Sequence, residues 1–118
     1  MKQNPDESIR PWGHYEIVLD ETYCKVKRIV VKPQQVLSYQ YHHKRSEAWT
    51  VVQGVARVTL NDVVTDYQAG ETVIIELGDK HRMGNPSEVD DMILIEVQTG
   101  TYFGEDDIVR IEDIYDRK

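Results

Sequence analysis

The chain has 118 residues, a formal net charge of −7 and 40% hydrophobic residues. This length fits one domain, and the composition is ordinary for a soluble globular protein. The negative charge repels the phosphate backbone of nucleic acid, so we expect no general DNA- or RNA-binding role. A small anionic substrate is not excluded, because a few cations inside a cavity can dominate the local field.

The chain shows no sign of a disulfide, a membrane span or a secretory signal. Its single cysteine, Cys24, has no partner for an intrachain disulfide and is expected to be a small buried or half-buried residue. No apolar run approaches the roughly 20 residues that cross a bilayer. Residues 1–8 are polar and lack the apolar segment of a signal peptide. We therefore expect a cytoplasmic protein without membrane association.

Short β runs separated by turn residues fill most of the chain. Residues 1–9 are predicted to be a flexible N-terminal arm and residues 10–118 one domain, since the arm has almost nothing to bury. The predicted strands, each rich in Val, Ile, Thr or Tyr, are Tyr15–Leu19, Tyr23–Lys32, Val36–His42, Ala48–Gln53, Ala56–Leu60, Val63–Tyr67, Thr72–Glu76 and Met92–Gln98. Such a series of short strands predicts an all-β sandwich or barrel.

Two further elements follow from local patterns. Asn61-Asp62 between two alternating runs predicts a hairpin with a two-residue turn. Near the C-terminus, Asp106–Tyr115 carries several β-branched residues and predicts a strand that ends in a short helical turn.

A cluster of polar residues predicts a metal site. Side chains alternate along a strand, so Ser38, Gln40 and His42 share one face. Inward-facing polar groups are costly unless something binds them, and a metal ion would do so. Glu47 follows across a turn, and His81 follows a tight turn at Gly78 and opens another strand.

The predicted ligands are Gln40, His42, Glu47 and His81, and they fit one divalent ion. Imidazole with carboxylate and amide oxygens suits Zn, Mn, Co, Ni or Fe, and the absence of thiolates excludes a zinc-finger type of site. A site that must also admit substrate is expected to keep an open coordination position.

The same residues resemble the two sequence motifs of the cupin family. Gln40-x-His42-x4-Glu47-x6-Gly54 is similar to the first motif, with Gln in place of the usual first His. Gly70-x5-Glu76-x-Gly78-x2-His81-x3-Asn85 is similar to the second, with Glu76 where Pro is usual. The resemblance implies a single-domain cupin, which is a double-stranded β-helix or jelly-roll barrel.

A narrower resemblance covers nearly the whole chain. The stretches that carry it are Arg10-Pro-Trp-Gly-His-Tyr15, Tyr23-Cys-Lys-Val-Lys-Arg-Ile29, the run Leu37 to Trp49, Glu96-Val-Gln-Thr-Gly100 and Gly104-Glu-Asp-Asp-Ile-Val-Arg110. They resemble the C-terminal domain of type II mannose-6-phosphate isomerases. That family usually has Met-His-His-His-Arg-Ala-Glu-His-Trp where this chain has Tyr41, Lys44, Ser46 and Ala48, so two of its histidines are replaced.

This resemblance implies a metal-dependent interconversion of mannose 6-phosphate and fructose 6-phosphate. Type I isomerases, which are also cupins, use a Gln, His, Glu, His metal set, and this favours Gln40 over His43 as the first ligand. In the type II family the domain usually follows a mannose-1-phosphate guanylyltransferase domain, whose glycine loop is absent from this sequence. We therefore expect the isomerase alone, and a separate guanylyltransferase of the same nucleotide-sugar pathway stays open as a partner.

The isomerisation needs a general base and a phosphate site. The base is left open among Lys44, His43, Glu76 and the Asp106/Asp107 pair. Guanidinium groups match phosphate oxygens in pairs, so Arg45, Arg82 and Arg110 are candidates for the phosphate, and Arg28 is predicted to point inward with the metal ligands. We assign Arg45, Lys44 and Arg110 to catalysis and Arg28 and Arg82 to substrate binding. Lys25, Lys27 and Lys32 are expected to line a solvated strand face.

Two other functions and one assembly are kept as expectations. The chain is alternatively a non-catalytic cupin that binds a sugar phosphate or nucleotide sugar, or a metal-dependent cupin enzyme of another class, such as a dioxygenase. The polar N-terminal arm and the apolar strand Met92–Val97 predict a homodimer.

Overall fold

The computed structural model describes residues 9–112, and every regular element among them is a β-strand. The strands are β1 (Ile9–Arg10), β2 (Gly13–Asp20), β3 (Lys25–Val31), β4 (Tyr39–Tyr41), β5 (Arg45–Gln53), β6 (Val55–Leu60), β7 (Val63–Gln68), β8 (Thr72–Ile75), β9 (His81–Gly84), β10 (Met92–Gly100) and β11 (Val109–Glu112). Within residues 9–112 no helix is long and apolar enough to cross a membrane.

The strands form two antiparallel sheets. The first has the order β1-β2-β3-β10-β5-β8, and the second has the order β11-β4-β9-β6-β7. Buried side chains between the sheets make one core, with Trp49, Val51, Val58, Met92 and Leu94 at most 1% exposed. Most of the apolar side chains on the inner faces alternate with more exposed ones, and this pattern buries one face of each sheet against the other.

The predicted hairpin is confirmed. β6 and β7 pair from Val55 with Gln68 to Leu60 with Val63, which leaves a two-residue loop. Asn61 and Asp62 both have positive φ, 47° and 70°, as a type I′ turn requires. Asn and Asp tolerate this backbone region better than most residues, so the sequence fixes the turn and the register of the hairpin together.

The structure bears on three other sequence expectations, two of them only in part. The run from Val36 to His42 forms regular strand only at β4, with a single bridge from Val36 to Gly84 before it. The predicted C-terminal element is a strand over Val109–Glu112, and its expected helical turn lies outside the described residues. The expected arm also lies outside them, apart from Ile9, which pairs with His14.

The apolar strand that predicted dimerisation lies in the middle of a sheet. β10 is hydrogen-bonded to β3 on one side and to β5 on the other. Met92 and Leu94 therefore lie in the core, whereas Ile93, Ile95 and Val97 are half-buried on the other face of the sheet, and neither edge of this strand is open for pairing. Dimerisation itself stays a prediction.

Candidate metal centre and adjoining cavity

Three side chains from three strand ends converge between the sheets. His42 follows β4, Glu47 lies in β5 and His81 opens β9, and all three are at most 3% exposed. Their candidate ligand atoms all lie within 4.8 Å of one another, and His42 Nε2 is 3.3 Å from Glu47 Oε2. Ligands about 2.0–2.2 Å from one metal ion lie roughly 3–3.5 Å apart, so the distance between His42 and Glu47 fits a shared ion, and the three side chains could hold one.

Both imidazole rings are oriented by backbone carbonyls. His42 Nδ1 donates to the carbonyl oxygen of Asp107 at 2.5 Å, and His81 Nδ1 donates to that of Asp79 at 2.8 Å. Each bond fixes the tautomer whose Nε2 carries a free lone pair, an arrangement that is usual around metal-ligating histidines. Burial lowers the pKa of His42 to about 4, and the charge of Arg45 adds to this effect. Burial also lowers the pKa of His81, so burial favours the neutral form of both rings.

Glu47 is held from two sides. Trp49 Nε1 donates to its Oε1 at 2.8 Å, and Arg45 Nε donates to its Oε2 at 2.8 Å. Arg45 Nη2 also lies 3.3 Å from His42 Nε2. Arg45 therefore uses two of the three lone pairs that a metal ion would use, and a bound ion would compete with it there. Two neutral imidazoles and a carboxylate fit a divalent ion such as Zn, Mn, Co, Ni or Fe.

Gln40 lies next to this cluster. It pairs directly with His81 across β4 and β9, and its side chain lines a cavity. Residues directly opposite each other in a sheet project to the same side, so Gln40 is placed to approach the cluster from β4. Its ligation remains a prediction.

A polar cavity of about 110 Å³ adjoins the cluster. The charged side chains that line it are Arg10, Lys27, Arg45, Glu96, Glu105 and Arg110. Arg45 joins the two features, because it lines the cavity and also contacts His42 and Glu47. Burial opposes the charge of Arg45, but the nearby carboxylates of Glu47, Glu96 and Glu105 outweigh it and raise its pKa.

Sequence reasoning missed a buried carboxyl group in the cavity wall. Glu96 is 5% exposed and accepts a hydrogen bond from Gln98 Nε2 at 2.7 Å. Burial raises the pKa of Glu96 to about 7, and the charge of Glu47 adds to this effect. A signal was available, because Glu96 and Gln98 share strand parity with the core residues Met92 and Leu94. This is the same kind of pattern, polar residues on the inward face of a strand, that indicated Gln40 and His42.

The prediction for β3 was wrong. Arg28 lies on the outer face, with 45% of its side chain exposed, and pairs with Glu16. Lys27 points inward instead and is 4% exposed, although it was expected on a solvated face. The register explains the difference, because Lys27 lies opposite Glu96 on β10 and its charge faces a buried carboxyl group.

The remaining candidates divide between the cavity and the surface. Arg45 and Arg110 line the cavity. Arg82 instead donates to Glu112 at 2.8 Å and packs over the Tyr39 ring. Lys44 is exposed, with its Nζ over the Tyr102 ring. Among the candidate bases, His43, Glu76 and Asp106 are exposed, and Asp107 is buried but accepts hydrogen bonds from backbone N–H groups of residues 43 and 44.

Comparison with known proteins places this chain in a family. The family described as mannose-6-phosphate isomerase C-terminal matches residues 1–113. The chain is 49% identical over 108 residues to the xanthan biosynthesis protein XanB of Xanthomonas campestris. The matched region is 92% of this chain and 23% of that protein. It is 47% identical over 111 residues to the mannose-1-phosphate guanylyltransferase ManC of Salmonella typhimurium, covering 94% of this chain and 23% of the relative.

A solved structure gives the same fold. It is an uncharacterized protein with a double-stranded β-helix domain from Klebsiella pneumoniae, with a TM-score of 0.72, 26% identity, and coverage of 95% of this chain and 92% of that one. The all-β cupin architecture is thereby confirmed. The chain spans about a quarter of the length of XanB and ManC. Because the family match covers residues 1–113, the chain belongs to the mannose-6-phosphate isomerase C-terminal family, as a cupin domain of that family.

Proposed function

We propose that this chain is a metal-dependent sugar-phosphate isomerase that interconverts mannose 6-phosphate and fructose 6-phosphate. The observation that carries the proposal is the pair of histidines whose Nδ1 atoms are bonded to backbone carbonyls. Their Nε2 atoms converge with Glu47 beside a cavity that is rich in cations. Membership of the isomerase C-terminal family supports the same activity.

The chemistry needs a polarised carbonyl group and a proton acceptor. A divalent ion held by His42, Glu47 and His81, with Gln40 beside them, would supply the polarisation of the substrate carbonyl. The acceptor must lie within hydrogen-bond reach of the C1 and C2 protons. We assign this role to Glu96, because it is the buried carboxyl group of the cavity wall, whereas His43, Lys44 and Glu76 are exposed.

The replaced family histidines do not count against catalysis. Lys44 is exposed and Ala48 alternates with Glu47 and Trp49 along β5, so its side chain projects to the other face of the sheet. The alternative of a non-catalytic cupin draws its support from Arg45, whose guanidinium donates to His42 and Glu47. An arginine in that position could replace a metal ion as the internal cation.

Metal analysis and turnover together test the proposal. Purified protein is examined for bound divalent metal and then assayed for mannose 6-phosphate conversion in a coupled assay. His42→Ala should lose both metal and turnover, whereas His43→Ala, an exposed histidine one residue away, should keep both.

Three results discriminate between the candidates. Failure of metal-loaded protein to convert mannose 6-phosphate, while a family relative succeeds in the same assay, contradicts the isomerase. Thermal stabilisation by a sugar phosphate without turnover favours the binding protein. Iron bound near one per chain, together with oxygen consumption, indicates an oxygen-using enzyme.

A further inference from the structure

Lys27 is a buried cation whose ion partner comes from a distant loop. Its Nζ lies 2.8 Å from Glu105 Oε2 and 4.2 Å from the centre of the Tyr15 ring. The side chain of Lys27 is 5% exposed, whereas that of Glu105 is 49% exposed. The anionic member of this pair is therefore the one that can leave for solvent, and the cation is fixed in the cavity wall.

Within the described part of the chain, Arg45 presents a buried N–H group without an acceptor at the same place. Its side chain is 7% exposed, and Nη1 is buried without a hydrogen-bond partner in residues 9–112. The Glu105 Oε2 atom is 3.9 Å from Nη1, which is beyond hydrogen-bond distance. The carboxylate of Glu105 thus bonds well to Lys27 but only approaches Arg45.

We propose that Lys27 Nζ and Arg45 Nη1 bind the phosphate group of the substrate, and that Glu105 occupies this position until the phosphate displaces it. The proposal deepens the proposed isomerase function and rests on it for the identity of the sugar phosphate. The same subsite would bind inorganic phosphate, since the recognised chemistry is the phosphate group.

Phosphate satisfies these two cations better than a carboxylate does. It carries up to two negative charges and three free acceptor oxygens, so one oxygen can bond to Lys27 while another reaches Arg45 Nη1. Guanidinium and ammonium groups together offer the charge-assisted bonds that phosphate sites usually contain. Burial of both cations strengthens these bonds relative to bonds in water.

The Glu105 side chain can move without a shift of the backbone around it. Residues 101–108 join β10 to β11 without regular strand, and the Glu105 side chain is half exposed. The segment is anchored next to Glu105 through Asp107, which accepts hydrogen bonds from the backbone of His43 and Lys44. Rotation of the Glu105 side chain therefore frees the two cations while the segment keeps its place.

Binding to EDTA-treated protein tests the subsite without turnover. Inorganic phosphate, mannose 6-phosphate and mannose are titrated calorimetrically into the wild-type protein and into Lys27→Met, Lys27→Arg and Glu105→Gln. Arg28→Met is the matched control, because Arg28 is the next residue of β3 and pairs with Glu16 on the outer face.

We expect Lys27→Met to weaken binding of both phosphate ligands by about tenfold or more, since it removes one member of a buried charge contact. Lys27→Arg should recover part of that loss. Glu105→Gln should tighten binding several-fold, because the competing carboxylate is gone. Arg28→Met should bind like the wild type, and mannose should bind equally to all variants.

Two results would overturn the subsite: wild-type affinity in Lys27→Met, or weaker binding in Glu105→Gln. If Lys27→Met does not fold, as judged by circular dichroism, Glu105→Gln and Lys27→Arg decide between the outcomes. Different results refute the phosphate subsite and the isomerase activity. A protein that binds phosphate as expected but converts no mannose 6-phosphate refutes only the isomerase, and turnover with an unchanged KM in Lys27→Met refutes only the subsite.

Discussion

His42 donates its Nδ1 hydrogen to the backbone carbonyl of Asp107, 2.5 Å away. This bond connects the end of β4 to the segment that precedes β11. The side chain of Asp107 completes the connection. Its Oδ1 and Oδ2 atoms accept hydrogen bonds from the N–H groups of His43 and Lys44 at 3.1 and 2.9 Å. The orientation of a candidate ligand thus depends on a residue that sequence reasoning considered only as a possible base.

Asp107→Ala should loosen the site without removing a ligand. Loss of two hydrogen bonds to a carboxylate is expected to cost about 2 kcal/mol or more in the free energy of unfolding. Metal affinity should fall by about 10- to 100-fold, the usual effect of changing a residue that orients a ligand. Denaturant titration and metal titration measure the two quantities. Asp106→Ala, which removes an exposed carboxylate bonded to Tyr102, is the control and should change neither appreciably.

Trp49→Phe should separate packing from ligand positioning. Trp49 is 1% exposed and is the hydrogen-bond donor to Glu47 Oε1, and its ring meets His81 edge-on at 5.5 Å. Phenylalanine keeps an aromatic ring there but leaves that oxygen without its donor, so we expect a loss of about 2 kcal/mol and about tenfold weaker metal binding. Trp12→Phe, in the same core, should lose stability but keep its metal affinity. Equal metal affinities in the two variants would contradict the role given to Trp49.

Glu96→Gln should abolish proton transfer while the fold and the metal remain. Gln keeps the size of Glu and can still accept from Gln98, but it cannot take up the substrate proton. We expect kcat to fall by about 100-fold or more, with little change in metal content. Gln98→Ala, which removes the hydrogen-bond donor rather than the acceptor of the proton, should reduce kcat much less. A Glu96→Gln variant with wild-type kcat would exclude Glu96 as the base.

The convergence of the three candidate metal ligands could be predicted from the sequence in part, because two of them are close neighbours in the chain. His42 and Glu47 are five residues apart, and His81 follows a glycine turn at the start of a strand. The short turn between β4 and β5 brings His42 and Glu47 together, although these strands lie in different sheets. His81 joins them through the long-range pairing of β4 with β9, which only the cupin-like motif spacing indicated. The β6–β7 turn could be predicted from local sequence, since Asn61 and Asp62 accept the positive φ that the turn demands.

The cavity wall could not be predicted, because its signal is long-range. β3 carries apolar residues at both parities, Val26 and Val30 on one and Ile29 and Val31 on the other, so its pattern does not say which lysine or arginine faces inward. That choice depends on its pairing with β10, which puts Lys27 opposite Glu96. Glu105 is 78 residues from Lys27 along the chain, and no local pattern joins them.

Tyr39→Phe should make stability depend less on pH in the acid range. Tyr39 joins β4, the strand of Gln40, to the β6–β7 turn: its hydroxyl donates to Asp62 Oδ1 at 2.7 Å and accepts from the Asp62 N–H at 2.8 Å. The hydrogen bond from Tyr39 is the main cause that lowers the pKa of Asp62 below its ordinary value of 3.8, and the charge of Lys80 adds to it.

A lowered carboxyl pKa stabilises the folded state only while the carboxyl group is ionised. The contribution of Asp62 is therefore complete above pH 3.8 and is lost as the pH falls through its lowered pKa in the folded protein. Unfolding by urea at pH 7 and at pH 3 should show Tyr39→Phe less stable than the wild type at pH 7, with a smaller difference at pH 3. Tyr23→Phe, at an exposed tyrosine, should match the wild type at both. A Tyr39→Phe deficit of the same size at the two pH values would mean that the hydroxyl stabilises the turn through the Asp62 N–H alone.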